Sequence, residues 1–438
     1  MRLTFTNARI VDPATGRDAP GSLGVADGRI EAVLDDAQAP PPAQRTIDCR
    51  GRVLGPGLVD MRVFVGEPGA DHRETVRSAA QAAAAGGVTT IVLQADTQPP
   101  LDDPALIRFV RDRGADAAVR VETMGALTRA LAGREMTEQR FLLDAGARAL
   151  SDADRPLADT AVMRAAMTYA TSTGALVVHH PQDAALSARG CATAGEFATR
   201  LGLPPVPAVA ERIGLERDLA LAETTGARYH ADILSTEAAL APLRRAKDAG
   251  ADVSAGTSIH HLTLNEYDIG AFRTFFKLAP PLRAESDRRA TVAALAEGLI
   301  DIVVSSHAPW DTEAKRLPFE EAATGAVGLE SMIPALMRLV HAGDIDLVRL
   351  FEAASLAPAR RLGLAGGRLA PGAPADLVLF DPDAPFLMDR AALRSKSKNT
   401  PFDRNRMEGR VLGTWVGGVR VYEPLAEAAT TAGQEVVP

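Results

Sequence analysis

The sequence predicts an α/β fold, a (β/α)8 TIM barrel with a small β-sandwich built from the N- and C-terminal segments. The first observation is that short apolar segments alternate with helical segments eight times between Leu58 and Ala342. Eight alternations of this length are typical of a closed parallel barrel. The second observation is that the chain on both sides of this region has short strand-like pieces broken by turns. We therefore assign residues 57–360 to the barrel, 1–56 and 361–424 to the sandwich, and 425–438 to a disordered tail.

Length and composition indicate an ordinary soluble protein. The 438 residues can bury one barrel-sized core and a smaller one, and the content is 46% hydrophobic and 24% charged. The net charge of -8 argues against a nucleic-acid or anionic-membrane surface. Cys49 and Cys191 are too few for a disulfide framework and fit a reducing compartment. With no apolar run of membrane-spanning or signal-peptide length, we expect a cytoplasmic protein without nucleic-acid or membrane partners.

The two terminal segments are predicted as short strands. A hairpin signal, Asp27-Gly28, separates two of the N-terminal strands, and Gly417-Gly418 marks a turn near the C-terminus. The predicted strands are 4–11, 21–25, 29–33, 45–54, 377–380 and two pieces within 411–421. We expect the strands from both ends of the chain to join.

The barrel region is predicted to contain eight strands that alternate with helices. The strands are 58–65, 88–94, 117–123, 147–151, 175–180, 227–233, 251–255 and 299–305. The helices are 73–85, 104–113, 138–145, 158–173, stretches reaching 223, 236–249 and 329–342, with a long loop at 257–283. Active sites of such barrels lie where the strands end, at the C-terminal mouth.

The first barrel strand carries an unusual pair of side chains. It is entered through Gly-Pro-Gly and left through Pro-Gly, and alternation places Asp60, Arg62 and Phe64 on one face. A guanidinium is a charged donor without a free lone pair, and a phenyl ring has none to offer. Neither Arg62 nor Phe64 can therefore ligate a metal cation.

Several blocks make the chain resemble the dihydroorotases, within the amidohydrolase superfamily, from about Asn7 to Tyr422. The similar blocks are Gly69-Ala70-Asp71-His72-Arg73-Glu74-Thr75, Ala82-Ala83-Ala84-Ala85-Gly86-Gly87, Ile259-His260-His261-Leu262, Pro280-Pro281-Leu282-Arg283, Gly328-Leu329-Glu330 and Ser395-Lys396-Ser397-Lys398-Asn399-Thr400-Pro401-Phe402. The resemblance implies an amidohydrolase-type barrel. It also implies a zinc site at the barrel mouth, which can be compared position by position.

The resemblance assigns five protein positions to the zinc site, and four of them have changed. Arg62 and Phe64 stand in place of a His-x-His pair, and Ile233 stands in place of a third His. Ser306 replaces the Asp that is both ligand and general base, while His180 is retained. Since zinc needs roughly three protein ligands for catalysis, we expect no zinc, no other cofactor and no catalytic residue.

The positions that would bind substrate in the family have changed too. Gly66 replaces a carboxylate-binding Arg, Asp96 and Ala279 replace two Asn residues, and Trp310 replaces a His after strand eight. We expect a remnant pocket formed by the residues at these positions and at the former metal positions: Arg62, Phe64, Asp96, His180, Ile233, Ala279, Ser306 and His307.

The sequence leaves several contacts of the pocket undecided. Arg62 could pair with Asp60, Asp96 or Asp152, because a buried charge needs a partner. Asp152 or Asp154 lies near the position of the family's bridging carboxylate. Asp232 is expected to face away from the pocket, being one residue from Ile233, unless a bulge turns it inward.

Two functions follow from the resemblance. The first is a catalytically inactive dihydroorotase homologue of pyrimidine biosynthesis that acts as a scaffold subunit for aspartate carbamoyltransferase. We expect this protein to be an oligomer. The alternative is a divergent cyclic-amide hydrolase with a remodelled metal site, or a metal-free one that uses His180 or His307 as its base. The number of surviving metal ligands favours the first.

Overall fold

The computed structural model describes residues 2–39 and 41–424, and in it the eight parallel segments close into a barrel. Barrel strands 1 to 8 are Leu58–Val63, Val88–Leu93, Arg120–Thr123, a single bridge residue Leu150, Leu176–His179, Arg228–Ala231, Val253–Ser258 and Ile302–Val304. Parallel bridges join Leu150 to its neighbours on both sides, and the bridge between Val63 and His307 closes the ring. The predicted (β/α)8 barrel is confirmed.

A helix of seven or more residues follows each barrel segment. In chain order these helices are Val76–Ala85, Pro104–Gly114, Gln139–Ala145, Thr160–Thr173, Val209–Thr225, Leu240–Asp248, Glu285–Ala296 and Met332–Ala342. Shorter helical segments are Arg129–Leu131, Ala184–Ser187, Glu196–Leu201, Glu237–Ala239, Ile259–Thr263, Glu266–Ile269, Thr274–Phe276, Thr312–Arg316, Leu329–Ser331, Leu347–Phe351, Glu352–Leu356, Ala357–Arg361 and Arg390–Ala392.

Strands from both ends of the chain form one mixed sheet beside the barrel. Its eight strands are Arg2–Asp12, Arg17–Ala26, Arg29–Asp35, Arg45–Asp48, Val53–Pro56, Leu377–Asp381, Arg410–Val416 and Val419–Tyr422. Val53–Pro56 pairs with Leu377–Asp381, which joins the N-terminal half to the C-terminal half. The sheet has its own apolar core, in which the rings of Phe5 and Trp415 meet edge to face. Two further pairs are Ala192–Thr193 with Pro205–Val206 and Phe386–Leu387 with Arg406–Met407.

The barrel strands are buried on both faces, as parallel strands between helices and a packed interior must be. Every residue of Leu58–Val63 and of Val88–Leu93 is buried. An inner cluster fills the barrel, and it consists of Met61, Val92, Met124, Ala149, Leu176, Val178, Ile233, Ile302, Val304 and Leu362. This packing leaves the polar side chains at the strand ends to form the mouth.

The predicted elements differ from the structure most clearly after strand seven, in strand four and in the first helix. The predicted long loop at 257–283 contains the short helical segments Ile259–Thr263, Glu266–Ile269 and Thr274–Phe276. Residues 147–151 were expected to form strand four, but only Leu150 makes ladder contacts. The backbone around Leu150 is held largely by isolated hydrogen bonds, such as the one that Leu150 N–H donates to Leu176 O at 2.9 Å. The helix predicted at 73–85 begins at Val76, because Thr75 is its N-cap in a capping box with Ser78. Arg73 therefore precedes the helix.

The described residues include no helix long and apolar enough to cross a membrane. The predicted tail at 425–438 lies outside the described residues.

The first barrel helix ends at a close backbone contact. A Cβ on Gly86 would lie 2.0 Å from the carbonyl oxygen of Leu329, and backbone cannot yield as a flexible side chain does. We predict that Gly86→Ala lowers the free energy of unfolding by about 1–3 kcal/mol, the usual cost of overpacking. Denaturant unfolding measures this change.

Gly195→Ala is the matched control. Gly195 also flanks a helix, its backbone is extended, and no atom lies within 4 Å of a Cβ built there. An equal loss of stability in both variants would contradict the steric explanation.

Candidate functional site

The guanidinium of Arg62 lies at the centre of the barrel mouth. Its side chain is 3% exposed, and each of its three nitrogens bonds an acceptor on a different part of the chain. Nε donates to Asp232 Oδ2 at 2.5 Å, Nη1 donates to Ser306 Oγ at 2.7 Å, and Nη2 donates to Asp154 Oδ1. We call Arg62, Asp154, Asp232 and Ser306 the Arg62 cluster.

The barrel topology brings these four residues together. Arg62 is in strand 1, Asp232 follows strand 6, Ser306 follows strand 8, and Asp154 lies in the loop after Leu150. Parallel strands of a barrel end at one face, so residues distant in sequence meet there. Ser306 adopts φ 51°, a left-handed conformation that costs a non-glycine residue roughly 1 kcal/mol.

The predicted partners of Arg62 were wrong, since its side chain bonds Asp154 and Asp232. Asp60 accepts backbone N–H groups, from Arg62 at 3.1 Å and from Ser305 at 3.3 Å. Asp152 accepts the backbone N–H groups of Leu127 and Thr128 and the Thr128 hydroxyl. Asp96 acts on Arg62 only through space. Of the two carboxylates expected near the family's bridging position, Asp154 bonds Arg62 and Asp152 caps the loop at Thr128.

The orientation predicted for Asp232 was also wrong. Regular pairing of strand 6 ends at Ala231, so the alternation of faces does not extend to the next residue. The Asp232 side chain, 1% exposed, meets Arg62, while Ile233 packs in the inner apolar cluster. Asp232 thus provides a buried carboxylate at the mouth, one residue before the expected position.

Burial and charge shift the titration of several groups around Arg62. Burial raises the pKa of Asp232, and the neighbouring Arg62 opposes this shift. Burial raises the pKa of Asp60 to about 6 and also raises the pKa of Asp96. Burial, followed by the positive charge of Arg62, holds the pKa of His180 well below its ordinary value of 6.5. His180 is therefore a neutral and weakly basic imidazole.

The residues present do not fit a zinc ion. Arg62 already points a cation at the carboxylates that a metal would need, and Phe64, Ile233 and Ser306 offer no ligand of the His or Asp type. Within residues 2–39 and 41–424, no three His, Cys, Asp or Glu side chains are grouped so that they could hold a metal.

Phe64 and Trp310 hold a second arginine that the sequence analysis did not single out. The guanidinium carbon of Arg73 lies 3.8 Å from the ring centre of Phe64 and 3.4 Å from that of Trp310. Arg73 Nε donates to Pro309 O at 2.9 Å, and burial lowers the Arg73 pKa to about 10. The two aromatic substitutions at the mouth, taken together, could have signalled a stacked guanidinium.

His307 faces a buried carboxylate. Its Nδ1 accepts the N–H of Gly328 at 3.3 Å, and its Nε2 lies 3.5 Å from Glu74 Oε2. Glu74 also accepts the hydroxyls of Ser78 and Ser395. His307 and Glu74 therefore bind the strand 8 loop to the start of the first barrel helix.

Ala279 and Gly66 sit in tightly fixed loops. Ala279 is half-buried two residues after Lys277, whose Nζ donates to the carbonyls of Glu320 and Ala322 at 2.7 Å each. A Cβ on Gly66 would lie 2.1 Å from the carbonyl oxygen of Ala70. No Arg side chain fits at position 66 without movement of this loop.

A segment from residues 394 to 400, which we call the strap, is fixed to the same loops. Glu330 accepts the backbone N–H groups of Arg394 at 2.7 Å and Ser395 at 3.1 Å. Asn399 accepts the backbone N–H of Trp310 at 3.1 Å. The strap thereby holds the loop that carries Trp310 over Arg73.

Comparisons with known proteins agree with this architecture. A family model described as dihydro-orotase-like matches residues 51–239, and an amidohydrolase family model matches residues 322–422. A dihydroorotase from Anaeromyxobacter dehalogenans (strain 2CP-1) is 40% identical over 424 residues, which cover 96% of this chain and 98% of that protein. A dihydroorotase from Syntrophus aciditrophicus (strain SB) is 36% identical and covers 97% of this chain and 100% of that protein.

Solved structures show the same fold. The L-hydantoinase (dihydropyrimidinase) from Arthrobacter aurescens matches with a TM-score of 0.87 and 26% identity, covering 96% of each chain. The fold and the position of the mouth thus define an amidohydrolase-type barrel with a terminal sheet domain. Within that class, the chain belongs to the dihydroorotase family.

Glu330 gives the strap a pH dependence. Burial raises the Glu330 pKa from 4.5 to about 7, against the effect of its two N–H donors. Between these values the folded chain holds a proton that the unfolded chain has lost, so stability falls as the pH rises through this window. We predict that the wild-type free energy of unfolding falls by roughly 2 kcal/mol between about pH 5 and pH 8, and that Glu330→Gln abolishes this fall.

Denaturant unfolding across this pH range compares wild type, Glu330→Gln and the exposed control Glu321→Gln. The wild-type curve and the control curve should fall together. A Glu330→Gln curve parallel to theirs would refute the assignment.

Proposed function

We propose that this protein is a catalytically inactive, cytoplasmic member of the dihydroorotase family that acts in pyrimidine biosynthesis as a scaffold subunit for aspartate carbamoyltransferase. The observation that carries the inactivity is the Arg62 cluster. Its guanidinium takes up the two carboxylates at the mouth and is itself unable to ligate a metal. Hydrolysis of a cyclic amide then has no metal to polarise the carbonyl or to activate water.

The three described side chains at the positions of the family's base and of the metal-free alternative, Ser306, His180 and His307, are poorly suited to act as a general base. Ser306 has a neutral hydroxyl, which accepts a hydrogen bond from Arg62. The depressed pKa of His180 makes its imidazole a weak proton acceptor. His307 uses Nδ1 to accept a backbone N–H and turns Nε2 toward Glu74. These contacts argue against the metal-free alternative.

The positions that would bind substrate have also changed. An Arg cannot fit at Gly66 beside Ala70, so the carboxylate contact that the family resemblance implies is missing. Asp96, with one buried oxygen that has no partner in the described residues, would repel an anionic ring. The proposed pocket therefore lacks both parts of a dihydroorotate site.

The scaffold role rests on the family resemblance together with the intact fold. The resemblance implies aspartate carbamoyltransferase as the partner, and this chain keeps the full barrel and the terminal sheet that such a role would use. A chain that has lost its chemistry but keeps a complete family fold is well suited to a supporting role.

We predict that the purified protein contains far less than one zinc per chain and does not hydrolyse dihydroorotate above background. Metal analysis and an absorbance assay for ring opening measure both quantities. An active dihydroorotase from the same family, treated identically, is the positive control. Stoichiometric zinc together with rapid ring opening would instead support the cyclic-amide hydrolase alternative.

We predict that the protein forms a stable complex with aspartate carbamoyltransferase from the same organism. Co-expression followed by size-exclusion chromatography with light scattering should show one species larger than either component. The transferase should be less active or less assembled when expressed alone. The scaffold role is untenable if the two proteins elute separately and the isolated transferase is fully assembled and active.

A further inference from the structure

We propose that Arg62 serves as a structural cation at the barrel mouth, where its guanidinium holds the strand ends together as a bound metal ion would. This goes beyond the proposed function, because it states what the altered site does. The proposal concerns stability and local order. The structural role of Arg62 and the scaffold role can therefore each be refuted without the other.

The first step is geometric. The three nitrogens of Arg62 are each used once, by Asp232, Ser306 and Asp154. A planar fork with donors in fixed directions matches three acceptors around it, whereas an ammonium or a metal ion does not offer this arrangement. Arg62 thus joins the ends of strands 1, 6 and 8 and the loop after Leu150.

The second step is electrostatic. Asp232 is 1% exposed and has no cation other than Arg62 among its described bonds and ion pairs. Its Oδ1 is buried and has no partner in the described part of the chain, where all of its side-chain hydrogen bonding comes from that guanidinium. Removing one member of a buried ion pair leaves the other charge uncompensated, which is far more costly than losing an exposed pair.

The third step concerns the loop after strand 4. Ladder contacts there are reduced to Leu150, and Ala153 has φ 55°, a strained value for alanine. Asp154 is 42% exposed, yet it is tied to the buried Arg62. Together with the caps made by Asp152, this tie holds the loop in place where a regular strand does not.

The test is chemical rescue in the full-length protein. Arg62→Ala should lower Tm by about 5 °C or more, while Arg148→Ala, which removes an exposed bidentate pair with Glu122, should lower it by less than about 2 °C. Methylguanidinium chloride at millimolar concentration should restore a substantial part of the Tm of Arg62→Ala only, relative to equal sodium chloride. Rescue should disappear in Arg62→Ala/Asp232→Asn, which lacks the buried carboxylate.

Several results would overturn the proposal. These are an unchanged Tm in Arg62→Ala, absence of rescue, and equal rescue in Arg148→Ala or in the double variant. A rise of the wild-type Tm with zinc, or a fall with a chelator, would overturn it as well.

A second variant covers the case in which Arg62→Ala does not fold. Asp154→Ala changes a partly exposed group and removes the charge and the acceptor that tie the loop to Arg62. Amide hydrogen exchange in residues 150–157 should become at least about fivefold faster than in wild type or Arg148→Ala. Unchanged exchange in this segment would contradict the proposed role.

Discussion

A guanidinium buried in a protein must be neutralised where it lies, and the mouth of this barrel is built around that requirement. Arg62 is almost fully buried, and its fork is satisfied by one buried carboxylate, one partly exposed carboxylate and one hydroxyl. The two ion pairs are not equivalent. The pair with Asp232 is shielded from water, so losing either member would leave a stranded charge, whereas the pair with Asp154 is moderated by solvent. If Arg62 acts as proposed, stability at the mouth depends mainly on strands 1 and 6, and order in the loop after Leu150 depends on Asp154.

The two arginines of the mouth are accommodated by different chemistry. Arg62 is surrounded by oxygen acceptors, while Arg73 lies between the faces of Phe64 and Trp310 and gives one hydrogen bond to a carbonyl. Aromatic faces attract a cation without carrying a full negative charge. Stacked between the two rings, Arg73 needs no further ionised carboxylate at the mouth. Burial there already raises the pKa values of Asp60, Asp96 and Asp232. The strap then fixes the loop of Trp310, so the stacking partner cannot swing away freely.

Periodicity in the sequence was enough for the barrel, because eight alternating segments admit few other folds. The resemblance to the dihydroorotases located the altered site, since replacement of the family's ligand types is visible in residue identity. Contacts at the strand ends were not predictable in this way. Asp232 lies beyond the last regular pair of strand 6, so the two-residue period no longer applies. Asp152 and Asp154 differ in role because one caps the loop at Thr128 while the other reaches Arg62, a choice set by tertiary packing. Arg73 and Glu74 were overlooked because they looked like the start of a helix that in fact begins at Val76.

The four changed metal positions and Trp310 have each acquired a defined contact, which distinguishes a rebuilt site from an eroded one. Arg62 and Ser306 bond each other, Phe64 and Trp310 stack on Arg73, and Ile233 fills the barrel interior. Restoring a single histidine or aspartate would place a ligand beside a guanidinium that already uses the carboxylates. A metal could enter only if Arg62 were replaced as well, so the changes depend on one another. Such mutual dependence supports the proposed loss of hydrolysis, because it is expected where selection keeps a barrel for its shape and stability.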